Sequence, residues 1–216
     1  MLLVFFTLAG CDGGKGYKTN EIELNTDSYM INAQSVQFEP LEDNPVNNDI
    51  EAEIEKWIND FETKVNGQKI KSEELPNMQI RQKIYTKNAN ILSMVTEKYA
   101  YTGGPHGNTW WVARNYDIKN KTYINFEDLF YDLEYKKIVN GILSKMVEEN
   151  SDYQDLWEQP RVKDGKCDNF YILDKSIVLF FEPYELSYYA KGIVEFPIEA
   201  NELRGYLKEE YLNMLR

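Results

Sequence analysis

Two spacings of apolar residues alternate along this chain. In residues 28–39, Tyr29, Ile31, Val36 and Phe38 stand among small and polar residues as on a strand, and Pro40 and Asn44-Pro45 then break the pattern. Ile50, Ile54, Trp57, Ile58, Phe61 and Val65 follow at helical spacing and predict one inward-packing face. Asn47 or Asn48 is placed to cap that helix, and Asn66-Gly67 to end it. Period two returns in residues 78–86, with Met78, Ile80 and Ile84, and in 91–101, joined by a turn at 87–90. Residues 110–117 and 122–125 form a second hairpin around 118–121, and 126–129 a short helical turn. Tyr135, Ile138, Val139, Ile142, Leu143, Met146 and Val147 mark an amphipathic helix. A third hairpin pairs 170–172 with 176–181, a last strand covers 192–198, and Leu203, Tyr206, Leu207, Tyr211 and Leu215 predict a closing helix.

Strands and helices come in groups and do not strictly alternate. This predicts an α+β fold, an antiparallel sheet with covering helices. Residues 67–77 join two packed subdomains, a small N-terminal one at 26–76 and a C-terminal one at 77–216.

The first ten residues follow neither period. Met1 to Gly10 are all apolar or small and uncharged. The run is too short to span a bilayer, which needs about 20 residues, and it fits the apolar core of a signal peptide. Leu8-Ala9-Gly10-Cys11 resembles a bacterial lipobox, so Cys11 is expected to carry lipid on its thiol after removal of residues 1–10. Acyl chains of the palmitate type would then hold the protein at the outer face of the cell membrane, or at the outer membrane of a Gram-negative cell. Residues 11–25, with Gly13, Gly14 and Gly16, are expected as a linker. A signal peptide opens on Lys or Arg, and none precedes Lys15, so this reading expects a start codon upstream or trimmed first residues. The competing reading is a buried N-terminal strand or helix with an ordinary core cysteine.

Composition narrows the partners. A formal charge of −12 argues against nucleic acid and against electrostatic attraction to anionic lipid, and favours a cationic partner or simple solubility. With Cys11 lipidated, Cys167 stands alone and no disulfide staples the fold. Sixteen Tyr, ten Phe and four Trp supply the burial that replaces one.

Motifs of the common catalytic and cofactor sites are absent: GxGxxG, P-loop, CxxC and HExxH do not occur. No cofactor or metal is expected, since a lone histidine, His106, cannot build a multi-histidine site. The most unusual tract runs through Tyr101, Gly103, Gly104, His106 and Gly107, where three glycines and Pro105 force a tight path after a strand. It reads either as a binding loop or as a turn in which the imidazole bonds to backbone carbonyls. Trp110-Trp111 places one ring on each side of a strand, for packing or for stacking on a sugar. Glu182 and Glu185 flank Pro183-Tyr184, a carboxylate pair of the kind that hydrolyses glycosides, although nothing else selects them from 36 acidic residues.

Y-x-Y-x-G-G-x-H-G at 99–107 and NYDIKNKTYINFEDLF at 115–130 resemble the extracytoplasmic domain of the anti-sigma-V factor family. So do FEPYELSYYAKG at 181–192 and Phe196-Pro197-Ile198 with the helix from Glu202. A similar non-catalytic domain precedes the catalytic domain of some peptidoglycan deacetylases. The resemblance covers about residues 25–214. It implies a two-part α+β fold whose second part is similar to a subdomain of the heat-shock-cognate ATPase, without its nucleotide site. It also implies a receptor domain, since that of the anti-sigma-V factor binds lysozyme.

These readings converge on an exported, lipid-anchored cell-envelope binding protein that is not an enzyme. Its expected ligand is a cationic extracellular protein such as lysozyme, or peptidoglycan. Tyr101, Gly103, Gly104, His106, Gly107, Trp110, Trp111 and Tyr184 are its candidate binding residues. The alternatives are an enzyme acting on cell-wall glycans through Glu182, Glu185 and His106, and an accessory lipoprotein of an envelope complex.

Overall fold

The computed structural model describes residues 4–9, 16–40, 44–67, 74–162 and 169–215. Its elements in chain order are β1 (Val4–Ala9), β2 (Tyr17–Asn25), β3 (Met30–Phe38), α1 (Pro45–Asn66), β4 (Asn77–Lys87), β5 (Ile91–Tyr101), β6 (Asn108–Asp117) and β7 (Thr122–Tyr123). Then come α2 (Tyr135–Glu149), β8 (Phe170–Ile172), β9 (Ser176–Phe181), β10 (Val194–Glu199) and α3 (Glu209–Met214). β1 to β7 form one sheet in sequence order, and β8 to β10 form a second with β9 in the centre. The chain is thus α+β, as its grouped pattern predicts.

The first sheet is mixed, where an antiparallel one was expected. β1–β2 and β2–β3 are antiparallel, but β3 and β4 run parallel, with Ile31 opposite Met78 and Ala33 opposite Ile80. A parallel pair needs a long crossover, and α1 supplies it. β2 also corrects the expected 11–25 linker. Ile22 and Leu24 alternate with exposed Glu21 and Glu23 across its pleat. Residues 4–9, read from the sequence as signal peptide, pair along β2 with Val4 opposite Leu24. Cys11 and Cys167 lie outside the described residues.

Two compact units divide the chain as Met1–Gln82 with Thr96–Trp110, and Lys83–Val95 with Trp111–Arg216. This differs from a division at 76/77, because the boundary falls inside β4, β5 and β6 instead of in the loop before them.

In the first unit, α1 lies against β3. Its buried stripe is Val46, Ile50, Ile54, Phe61 and Val65. The helix starts three or four residues earlier than the Asn47/Asn48 reading. Asn44 is the cap, its Oδ1 accepting from the Val46 and Asn47 amides, and Pro45 takes the first turn, where no amide is needed. Asn47 instead is buried and clamps the end of β3. The Phe38 amide donates to its Oδ1 at 2.7 Å, and its Nδ2 donates to the Phe38 carbonyl at 2.9 Å. Nearby, the Tyr29 hydroxyl donates to Glu62 Oε1 at 2.6 Å, and its ring meets Phe61 edge-on at 5.9 Å. Burial, then this bond and the Glu62 charge, push the Tyr29 hydroxyl up to about 12.

In the second unit the three-stranded sheet is buried on both faces, which explains the unbroken apolar run of β9. Ile177 and Leu179 enter a core with Phe170, Phe196, Val139 and Leu143, while Val178 and Phe180 join Tyr171 and Val95 on the other side. Phe126 meets Phe130, Tyr135 and Phe170 edge-on, and Phe130 stacks on Tyr135 at 4.3 Å. The expected closing helix is helical only at α3. Before it, Gly205 takes φ +96°, Leu207 bridges to Phe130, and the Lys208 amide donates to the Leu129 carbonyl at 2.9 Å. Those tertiary bonds override the helical spacing of Leu203 and Leu207.

Asn47→Ala leaves the buried Phe38 amide unpaired and its carbonyl with only the 3.4 Å bond from Asn44 Nδ2, and denaturant unfolding is expected to show a loss of about 1–3 kcal/mol. Exposed Asn48→Ala is expected to change stability by less than about 0.5 kcal/mol. The Tyr29 hydroxyl has a folded value above its ordinary 10.0. Its contribution to stability is therefore full below about pH 10 and lost as pH rises toward about 12. Tyrosine-labelled NMR titration is expected to show Tyr29 ionising at lower pH in Glu62→Gln.

Candidate functional site

The glycine-rich tract leaves β5 at buried Tyr101. Gly103 takes φ +88°, a left-handed conformation that favours glycine. Residues 103–106 are exposed. His106 Nδ1 sits 2.8 Å from the Gly107 carbonyl oxygen, so the imidazole braces its own turn. Gly107 is buried for a steric reason: a Cβ there would meet the Tyr99 ring at 2.4 Å. The Y-x-Y-x-G-G-x-H-G spacing thus encodes a loop folded back on the strand that launches it.

Trp110 belongs to the same unit. The Lys98 ammonium lies 4.6 Å from its ring centroid and 4.8 Å from that of Trp57 on α1. Two half-buried indoles therefore bracket one cation, an arrangement favoured by the negative faces of the rings. In the same unit, β2, β3 and β4 present a row of polar side chains. Glu21, Glu23, Asn32, Gln34, Gln79 and Arg81 line a concavity of about 510 Å³.

Trp111 and Tyr184 fall in the second unit, so the eight candidate residues do not form one loop. Trp111 meets Phe180 at 5.4 Å, and its amide donates to Glu182 Oε1 at 3.4 Å. Glu185 closes a turn: its Oε2 accepts from the Glu182 amide at 2.6 Å, and its own amide donates to the Glu182 carbonyl at 3.0 Å. Both carboxylates thus serve backbone donors. Tyr184 at the tip of this turn is exposed and takes φ +72°, a conformation costly for a bulky side chain.

Sequence reasoning missed the neighbours of this turn. The Trp157 amide donates to the Leu186 carbonyl at 2.9 Å, and Ser187 Oγ donates to the Asp155 carbonyl at 3.2 Å. Asp155 accepts from the Tyr188 hydroxyl at 2.9 Å and from Lys191 Nζ at 2.5 Å. The Lys191 bond, then the Tyr188 bond, hold the Asp155 carboxyl below the usual carboxylate value, and the same contact raises the Tyr188 hydroxyl. Trp157 and Tyr188 are exposed. No spacing marks them, because each depends on which face of an irregular segment is left uncovered.

Among the described residues, no group of three or more His, Cys, Asp or Glu side chains is placed to hold a metal ion. No described helix is long and apolar enough to cross a membrane.

Two tracts of this chain are similar to known protein families. Residues 22–109 match the family described as deacetylase PdaC, and residues 127–201 match a protein family of unknown function, DUF3298. The peptidoglycan-N-acetylmuramic acid deacetylase PdaC of Bacillus subtilis is 27% identical over 127 residues, or 56% of this chain. The match spans only 27% of that deacetylase's length. A crystal structure of a DUF3298 family member from Bacteroides fragilis covers 93% of this chain and 97% of its own, with a TM-score of 0.71 at 15% identity. One from Pseudomonas aeruginosa covers 97% and 94%, with a TM-score of 0.61 at 15% identity. The expected resemblance to non-catalytic parts of deacetylases is therefore present, as is its α+β fold.

Gly107→Ala is expected to destabilise the chain by about 1–3 kcal/mol in thermal or denaturant unfolding, since the Tyr99 ring must move. Combining it with Tyr99→Leu is expected to cost less than the sum of the two single changes.

Proposed function

We propose that this chain is a cell-envelope binding protein that holds cell-wall glycan at the membrane surface without turning it over. The observation that carries the proposal is the match of residues 22–109 to the deacetylase PdaC family, together with the peptidoglycan deacetylase relative. The binding reading is favoured over glycan hydrolysis because Glu182 and Glu185 are both engaged by backbone amides. His106 likewise braces its own loop. In this reading residues 1–10, β1 included, are removed, Cys11 carries the lipid, and the fold from β2 onward faces outward from the membrane.

A cationic wall-active protein such as lysozyme is the second reading. The net charge of −12 favours it, since opposite charge speeds encounter.

Co-sedimentation with insoluble peptidoglycan sacculi is expected to deplete the protein from solution, with no muropeptide or deacetylated product released. Absence of binding to sacculi, with salt-sensitive binding to lysozyme, would replace the first reading by the second. In cells, Cys11→Ala is expected to shift the protein from the membrane to the soluble fraction. Unchanged membrane association would remove the lipid anchor.

A further inference from the structure

Three of the exposed large aromatic residues of the second unit lie on two segments tied to each other. Trp157 is 57% exposed, Tyr184 55% and Tyr188 48%. The bond from the Trp157 amide to Leu186 and that from Ser187 to Asp155 hold the two segments side by side. Tyr188 is fixed by its hydroxyl on Asp155, which Lys191 anchors in turn. Lys191 also donates to the Asp152 carbonyl at 2.5 Å. Tyr184 lies 5.8 Å from the Tyr189 ring, and its left-handed backbone keeps its side chain at the tip of the turn. Exposed aromatics on segments tied together, two of them with contacts that hold the side chain and one of these at strained backbone, mark a surface set up to bind.

We propose that Trp157, Tyr184 and Tyr188 form a stacking surface for a glycan chain of N-acetylated hexosamines, with Asp155 and Lys191 offering hydrogen bonds to its hydroxyl and amide groups. The proposal rests on the wall-binding reading and gives it a place, within the 127–201 stretch that matches a family of unknown function. The apolar C–H face of a pyranose packs on an aromatic ring, while its rim needs donors and acceptors. An ionised carboxylate beside an ammonium provides both. Size selects this ligand over a protein. Each such side chain offers about 150–250 Å² when fully buried, so three rings about half exposed present on the order of 300 Å². A stable protein partner covers about 800 Å² on each side. A neutral sugar chain is also indifferent to the net charge of −12.

The test titrates the chain with the β-1,4-linked N-acetylglucosamine tetramer by calorimetry and tryptophan fluorescence, beside co-sedimentation with sacculi. Trp157→Ala and Tyr184→Asn (asparagine tolerates the left-handed backbone) are expected to weaken tetramer binding at least about tenfold, with unchanged unfolding midpoints. Tyr188→Phe keeps the ring and is expected to weaken it less. The fluorescence response is expected in the parent chain and not in Trp157→Ala. If sacculi bind equally well to parent, Trp157→Ala and Tyr184→Asn, the stacking surface is wrong and the wall-binding reading stands. If the parent binds neither sacculi nor tetramer, both fail. If the two variants lose lysozyme and keep glycan, the surface docks a protein and the proposal is overturned.

Discussion

Strand β8 is three residues long, and its surroundings are arranged to keep its backbone hydrogen-bonded. One edge pairs with β9. The other meets buried side chains: Asn115 Nδ2 donates to the Phe170 carbonyl at 2.9 Å, the Ile172 amide donates to Ser93 Oγ at 2.7 Å, and Thr86 Oγ1 donates to the Ile172 carbonyl at 2.8 Å. Ser93 Oγ donates onward to Asn115 Oδ1 at 2.6 Å, which closes the network. An unpaired buried group costs about 1–3 kcal/mol, and a domain is stable by about 5–15 kcal/mol, so three such groups decide whether the second unit holds together. With these groups paired, β9 can be apolar on both faces, and the aromatic core around Phe126 can pack against one of them.

The same device recurs where a strand end or a loop has no neighbouring strand on one side. Asn47 bonds both backbone groups of Phe38 in the first unit, and Asn140 does the same for Val162 in the second, at 2.7 and 3.3 Å. An asparagine side chain carries the donor and acceptor of a peptide group, so it can stand in for a missing strand. These clamps steady a strand end and an irregular segment, and the exposed aromatic residues lie on irregular segments too.

Much of the fold is legible from periodicity. α1 and α2 keep helical stripes because each has one wet face, and β5 and β9 are bounded by turns that the sequence marks plainly. The failures have physical causes. β2 has only Ile22 and Leu24 to show its alternation, and the glycines before it suggest a linker. The parallel pairing of β3 with β4 is a tertiary choice that α1 permits but does not announce. The spacing of Leu203 and Leu207 is helical, yet Leu203 serves the core from a turn and Leu207 from a bridge to Phe130. Candidate binding residues were legible only as loop chemistry. Gly107 and His106 proved to be a self-braced turn, whereas Trp157 and Tyr188 carry no sequence signal because exposure belongs to the fold and not to the residue.

The Asn140 clamp has a chemical side as well. Asn140 is followed by Gly141, the neighbour that least hinders ring closure of an asparagine side chain onto the next amide. In the folded chain that side chain is committed to Val162, and the dipeptide is set in α2. Unfolding frees it to cyclise and deamidate, and the resulting carboxylate has no donor for the Val162 carbonyl. Each long excursion from the native state thus erodes the ability to return, so the age of a molecule would be written in its mass at Asn140.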